Sequence, residues 1–207
     1  MESASVAVGH AEEHHHGPPE ANQSSRMDRQ TMGILLFIIS EVMLFGAFFA
    51  SYFFVRVVAN DGPWPPEPFE LPVAVAGMNT AILVSSSFTM HWALESIRAG
   101  NKRGLRMGLV STLLLGATFL FIQMNEYVHV GFSARDDAFG SIFYGLTGLH
   151  GAHVFVGLML LSIATLRAFR GHFGPDAEDH LGVEIPGIYW HFVDVMWIIV
   201  FFAVYIL

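Results

Sequence analysis

Five apolar stretches, each long enough to cross a bilayer as a helix, fix what this chain can fold into. They begin near Met32, Pro72, Gly104, Phe139 and Glu184. A helix rises about 1.5 Å per residue, so about 20 apolar residues span the hydrocarbon layer. Backbone polar groups find no water there, so a spanning segment must bond to itself, as a helix does. The expectation is an all-α membrane protein with five transmembrane helices in a bundle, over about residues 31–57, 72–97, 104–130, 139–168 and 184–207. Composition agrees: 53% of residues are hydrophobic and only 14% charged, less charge than a soluble domain carries.

Charge sets the expected orientation. Threading five spans places Arg26 and Arg29 before the first, Arg98, Lys102, Arg103 and Arg106 between the second and third, and Arg167 and Arg170 between the fourth and fifth. All of these fall on one side; only Arg56 and Arg135 fall on the other. The positive-inside rule then predicts a cytoplasmic N-terminus and an outer C-terminus. The first outer loop, with Pro63, Pro65, Pro66, Pro68 and Pro72, reads as extended and stiff. Trp64 in that loop, and Tyr189 and Trp190 in span five, are candidate interface anchors.

Residues 1–30 form a separate unit, a flexible polar His-rich tail ahead of the five-helix domain of residues 31–207. The tail lacks the apolar core of a secretory signal. Its His10, His14, His15 and His16 could bind a transition metal, but a short His tract is a weak compositional signal and a solvated tail is the favoured reading. A net charge of −8 argues against nucleic-acid binding. With no cysteine, disulfides, thiolate zinc sites and iron–sulfur clusters are excluded.

The polar residues inside the spans are the candidates for function, because an ionisable group in the hydrocarbon region costs several kcal/mol unless something compensates it. Glu41 in span one is either a protonatable site on a proton path or a carboxyl bonded to a neighbouring helix. Glu126, near the outer end of span three, reads as structural. His150 and His153, three apart in span four, share a helix face. Such a face suits a metal or haem, but it also suits packing among Gly145, Gly148, Gly151 and Gly157. In span five His191 and Asp194 repeat the spacing, with Asp194 able to orient the imidazole. Ser85, Ser86 and Ser87 read as small-residue packing, since no paired base points to a nucleophile. These five polar side chains beyond Glu41 (Glu126, His150, His153, His191 and Asp194) are grouped as a structural polar network. No catalytic residue and no metal site is predicted.

Certain motifs carry more than spacing does. Ile39-Ser40-Glu41-Val42-Met43-Leu44-Phe45, the run Phe143-Tyr144-Gly145-Leu146-Thr147-Gly148-Leu149-His150-Gly151-Ala152-His153-Val154 and the run Tyr189-Trp190-His191-Phe192-Val193-Asp194-Val195-Met196-Trp197 resemble subunit III of the haem–copper cytochrome c oxidases. Trp64-Pro65-Pro66, the serine triplet, Arg167 to Phe173 and His180 to Glu184 fit the same family. The resemblance runs from about Met32 to the end of the sequence.

It implies an accessory subunit of an aa3/caa3-type, proton-pumping respiratory complex that reduces oxygen to water in the bacterial plasma membrane. The chain itself would carry no cofactor; haems and copper would belong to partner subunits I and II, with subunit I in direct contact. The implied role is to support proton uptake and stability of subunit I. Glu41 matches the family's buried helix carboxylate, a proton-path candidate. Arg167, His172, His180 and Glu184 match an inner-side polar cluster, where a guanidinium would suit a phospholipid phosphate. The longer family form has seven spans, of which the five here match the last five. The lipid-filled cleft bounded by its first two helices would then be open or covered by another subunit. Two alternatives stand beside this reading: subunit III of a quinol oxidase, and a free-standing haem-binding membrane protein using His91, His150, His153 or His191. A proton-coupled transporter is a third, for which five spans are few.

Overall fold

The computed structural model of the chain describes residues 29–59, 62–66, 71–173 and 177–207, without the side chains of 177–179. The tail with its four histidines falls outside these residues, apart from its last two positions. Five helices long and apolar enough to cross a membrane account for nearly all of the described residues, and none of these residues is in a strand. Helix α1 is Arg29–Phe54, continued by a π-helical turn at Val55–Ala59; α2 is Val73–Arg98; α3 is Lys102–His129; α4 is Ala138–Phe169; α5 is Ala177–Phe201, continued by a π-helical turn at Phe202–Ile206. Short connections make successive helices antiparallel. Helices α2, α3, α4 and α5 close a ring of neighbours, and α1 lies across α4 and α5. Two ends result: a basic end at the α2–α3 and α4–α5 turns, and a Trp64 end at the other loops.

The α2–α3 turn shows how local chemistry sets this topology. Gly100 adopts φ of 70°, the left-handed conformation that ends a helix at little steric cost. Asn101 follows, and its side chain accepts a hydrogen bond from the Gly104 amide at 3.0 Å, starting α3. The two helices then meet through small residues at every turn. Gly104 faces Ser96, Gly108 faces Ala93, and Thr112 shares a 2.8 Å hydrogen bond with Thr89. A Cβ added at Gly108 would sit 2.8 Å from the Ala93 Cβ and 3.0 Å from its backbone. Lipid tails are as apolar as leucine, so close backbone approach of this kind is what holds such a pair together.

Helix α5 differs from expectation in two respects. It begins at Ala177, seven residues before the predicted apolar span, because hydropathy reports depth in lipid, whereas the helix continues into polar sequence; Pro186 is accommodated inside it. Tyr189 and Trp190, expected as interface anchors, are instead buried in the core. The reason lies on other helices. Gly116 of α3 and Gly157 of α4 clamp the indole: a Cβ at Gly116 would fall 2.5 Å from Trp190 Cη2, and one at Gly157 2.8 Å from its Cε3. The indole nitrogen donates to Ser86 Oγ at 2.9 Å, which satisfies the one polar atom the ring brings inside. Trp64 does anchor a loop: its Nε1 donates to Tyr52 Oη at 2.9 Å, and Tyr52 donates to the Ala203 carbonyl at 2.7 Å.

Candidate functional site

Helix α1 turns a single stripe toward the bundle: Ile34, Ile38, Glu41, Phe45, Phe48, Tyr52 and Val55 follow one another at three- or four-residue intervals, and all are at least partly buried. Glu41 occupies the middle of that stripe. Its Oε2 lies 2.8 Å from His153 Nε2 of α4, and the Phe45 ring packs on the imidazole at 5.0 Å. Both side chains are mostly buried, 16% exposed for Glu41 and 10% for His153.

The second imidazole nitrogen fixes the proton count. His153 Nδ1 lies 2.8 Å from the Leu149 carbonyl oxygen, which can only accept, so Nδ1 carries a hydrogen. The Nε2–Oε2 contact then needs one further proton. That proton resides either on the imidazole, giving an ion pair, or on the carboxyl, which then donates to a neutral ring. Either way the pair is electrically neutral and holds one proton between the two side chains, within the first of the five candidate spans. A neutral pair is also what removes most of the cost of placing two ionisable groups in lipid.

His150, one turn earlier, shares the face but not the partner. It is fully buried between Phe119, at 5.7 Å, and Trp197, at 4.7 Å between ring centres. Neither ring nitrogen has a hydrogen-bond partner among the described residues.

On α5, His191 and Asp194 are joined through Ser87 of α2 rather than directly. The Ser87 hydroxyl donates to Asp194 Oδ2, and His191 Nδ1 lies 3.1 Å from the same Ser87 oxygen. With the hydroxyl hydrogen committed to Asp194, the imidazole is the donor in the second bond. Three consecutive serines thus take three directions: Ser85 bonds its own helix, Ser86 the Trp190 indole, Ser87 the α5 pair. His91, on the exposed face of α2, lies 3.3 Å from Glu95.

Glu126 is buried and accepts from Tyr205 at 2.7 Å, while Tyr127 donates to Thr147 at 2.8 Å. At the basic end Arg167 lies over the Phe173 ring at 5.3 Å, close against Gly182. His172 is exposed. His180 has a buried Nε2 with no partner among the described residues. Glu184, grouped with Arg167 on sequence, pairs with Arg98 of α2 at 2.9 Å instead. Sequence reasoning did not single out Arg98, Tyr205, Thr147 or a bridging role for Ser87. The spacing of Ser87, His91 and Glu95 at four-residue intervals was the available signal for a polar face on α2.

Among the described residues no group of three or more His, Cys, Asp or Glu side chains is placed to hold a metal ion. The chemistry this arrangement offers is the holding of protons in apolar surroundings.

Comparison with known proteins agrees. A family profile described as "Cytochrome c oxidase subunit III" matches residues 19–207. Cytochrome c oxidase subunit 3 of Thermostichus vulcanus is 40% identical over 207 residues, covering 100% of this chain and 95% of that protein. A probable cytochrome c oxidase subunit 3 of Rickettsia conorii is 40% identical over 191 residues, covering 84% of this chain and 66% of the relative. Cytochrome c oxidase subunit 3 of Oryctolagus cuniculus is 36% identical over 182 residues, covering 84% and 67%. The match to the first relative is nearly end to end, whereas the chain spans about two thirds of the two longer ones. Five helices long enough to cross a membrane, the family match over residues 19–207 and these relatives together place the chain in the cytochrome c oxidase subunit III family.

Proposed function

We propose that this chain is the accessory, non-catalytic subunit III of a proton-pumping aa3/caa3-type cytochrome c oxidase in a bacterial plasma membrane. It packs against subunit I, supports proton uptake there and protects that subunit from inactivating during turnover. Haems and copper reside in subunits I and II. The basic end faces the cytoplasm, where Arg167 meets a phospholipid phosphate. The observation that carries the reading is the Glu41–His153 pair. It holds one transferable proton on α1, the helix whose outer surface is least covered by the rest of the chain. A proton held there is within reach of a neighbouring subunit. The relatives' names favour cytochrome c over quinol as electron donor. The packing of His150 between the Phe119 and Trp197 rings favours a structural histidine over a haem ligand.

The test compares the oxidase purified with and without this chain. Expected is a complex with unchanged haem and copper content that takes up protons more slowly and loses activity progressively during turnover. Equal proton uptake and equal durability without the chain would overturn the proposal, as would a stoichiometric haem spectrum from the isolated chain.

A further inference from the structure

Buried polar atoms in folded proteins are almost always hydrogen-bonded, to protein or to ordered water. Among the described residues, nine buried side-chain nitrogen or oxygen atoms have no protein partner. Six of them occur on only four side chains: Asn79 Oδ1, Gln123 Oε1 and Nε2, Glu126 Oε2, and His150 Nδ1 and Nε2. These side chains are between 0% and 5% exposed, so bulk solvent does not reach them.

They are also neighbours. Phe119, Gln123 and Glu126 occupy one buried face of α3. The Phe119 carbonyl takes the Asn79 amide of α2 at 3.2 Å, and the Phe119 ring touches His150 of α4. The Gln123 amide lies within long reach of the Tyr127 and Tyr205 hydroxyls, but no hydrogen bond of ordinary length satisfies its nitrogen or its oxygen. At the Trp64 end, Glu126 lines a cleft of about 310 Å³ together with Leu71, Pro72, Asn125 and His129. At the opposite end of the run, His150 stands one helical turn from His153, on the same face of α4.

We propose that this run of side chains is a binding site for a file of internal water molecules, leading from the Glu126 cleft through Gln123 and Asn79 to His150 beside the Glu41–His153 pair. An internal water makes roughly three hydrogen bonds, and waters in file spend up to two of them on each other, so about four waters satisfy all six atoms. The file gives the proton held by Glu41 and His153 a route to the Trp64 end of the bundle: with the shared proton on Nε2, the His153 ring releases its Nδ1 hydrogen from Leu149 to a water at His150 and is left neutral. Each water accepts one proton and passes one on, so nothing is consumed. This rests on the shared proton of that pair, but the water file stands or falls independently of whether subunit I uses that proton.

Two measurements on the assembled oxidase test it. A density map resolving ordered water is expected to show peaks within hydrogen-bonding distance of Gln123 and His150; a dry core there overturns the proposal. The second follows infrared bands that are lost in Glu41→Gln, during transfer into D2O. In Gln123→Leu, which keeps the side-chain volume and removes the middle link, exchange of those bands is expected to slow about tenfold. Unchanged exchange overturns the route. Should Gln123→Leu fail to assemble, His150→Phe removes the terminal link and is read the same way.

Discussion

Helices α1 and α5 both cross the membrane, yet 56% of the most apolar stretch of α5 is buried inside the bundle against 6% of that of α1. Helix α5 is the mast of the fold. It packs against α1, α2 and α4, and Trp190, Trp197, Val193 and Val200 are fully buried. Helix α1 touches the bundle along one stripe and presents the rest of its surface to whatever surrounds the chain. Both carry a buried carboxyl, Asp194 and Glu41. On the proposed function, the difference separates a carboxyl that serves the fold from one that serves a neighbour: Asp194 is tied to Ser87 within the ring of helices, while Glu41 sits at its margin.

The sharpest way to break the comparison is to damage α5. Trp190→Ala empties a site shaped by Gly116 and Gly157 and removes the donor to Ser86. Large-to-small substitutions of buried aromatic residues cost about 3–5 kcal/mol. The expected outcome is loss of the chain from the purified oxidase, read by subunit stoichiometry. Recovery of a normally stable complex would mean that α5 is not the central support.

Asp194→Ala comes next. It leaves the Ser87 hydroxyl without the acceptor that orients it, and so loosens the oxygen to which His191 Nδ1 donates; orphaning a buried donor costs about 1–3 kcal/mol. Assembly should fall more than turnover per assembled complex. Normal assembly with lost turnover would move Asp194 from the fold-serving class to the neighbour-serving one.

How much of this was readable beforehand follows from the same contrast. Five spans were legible because apolar length alone decides them. Pairing across helices was not. Glu41 and His153 are 112 residues apart, and only the packing of α1 on α4 makes them neighbours. His150 and His153 look equivalent in sequence, yet one meets two aromatic rings and the other a carboxyl. Trp190 looked like an interface residue because its own helix says nothing of the glycines on α3 and α4 that admit it. Glu184 and Arg167 are near in sequence, but Glu184 bonds to Arg98, whose helix ends alongside.

A smaller effect is expected at that basic end. The Arg98 and Glu184 side chains are 59% and 27% exposed, and ion pairs this accessible contribute about 1 kcal/mol or less. Arg98→Ala should lower thermal stability of the complex slightly, with the loss shrinking further in high salt. A large, salt-independent loss would show that a neighbouring subunit buries the pair.

The smallest effect on assembly is expected for Glu41→Gln. His153 Nδ1 donates to Leu149, so a neutral imidazole offers Nε2 as an acceptor. The glutamine amide can donate to it as a protonated carboxyl would, with nearly the same shape and no charge. Helix α1 should therefore seat normally, and subunit stoichiometry should match the unmodified complex. What the amide cannot do is give the proton up. If the pair serves a proton path, proton uptake by the assembled oxidase slows while assembly holds. If instead the variant fails to join the complex, the bond in the native protein is a carboxylate to an imidazolium, since glutamine can replace a donor but not an anion, and the margin of α1 is then held by charge.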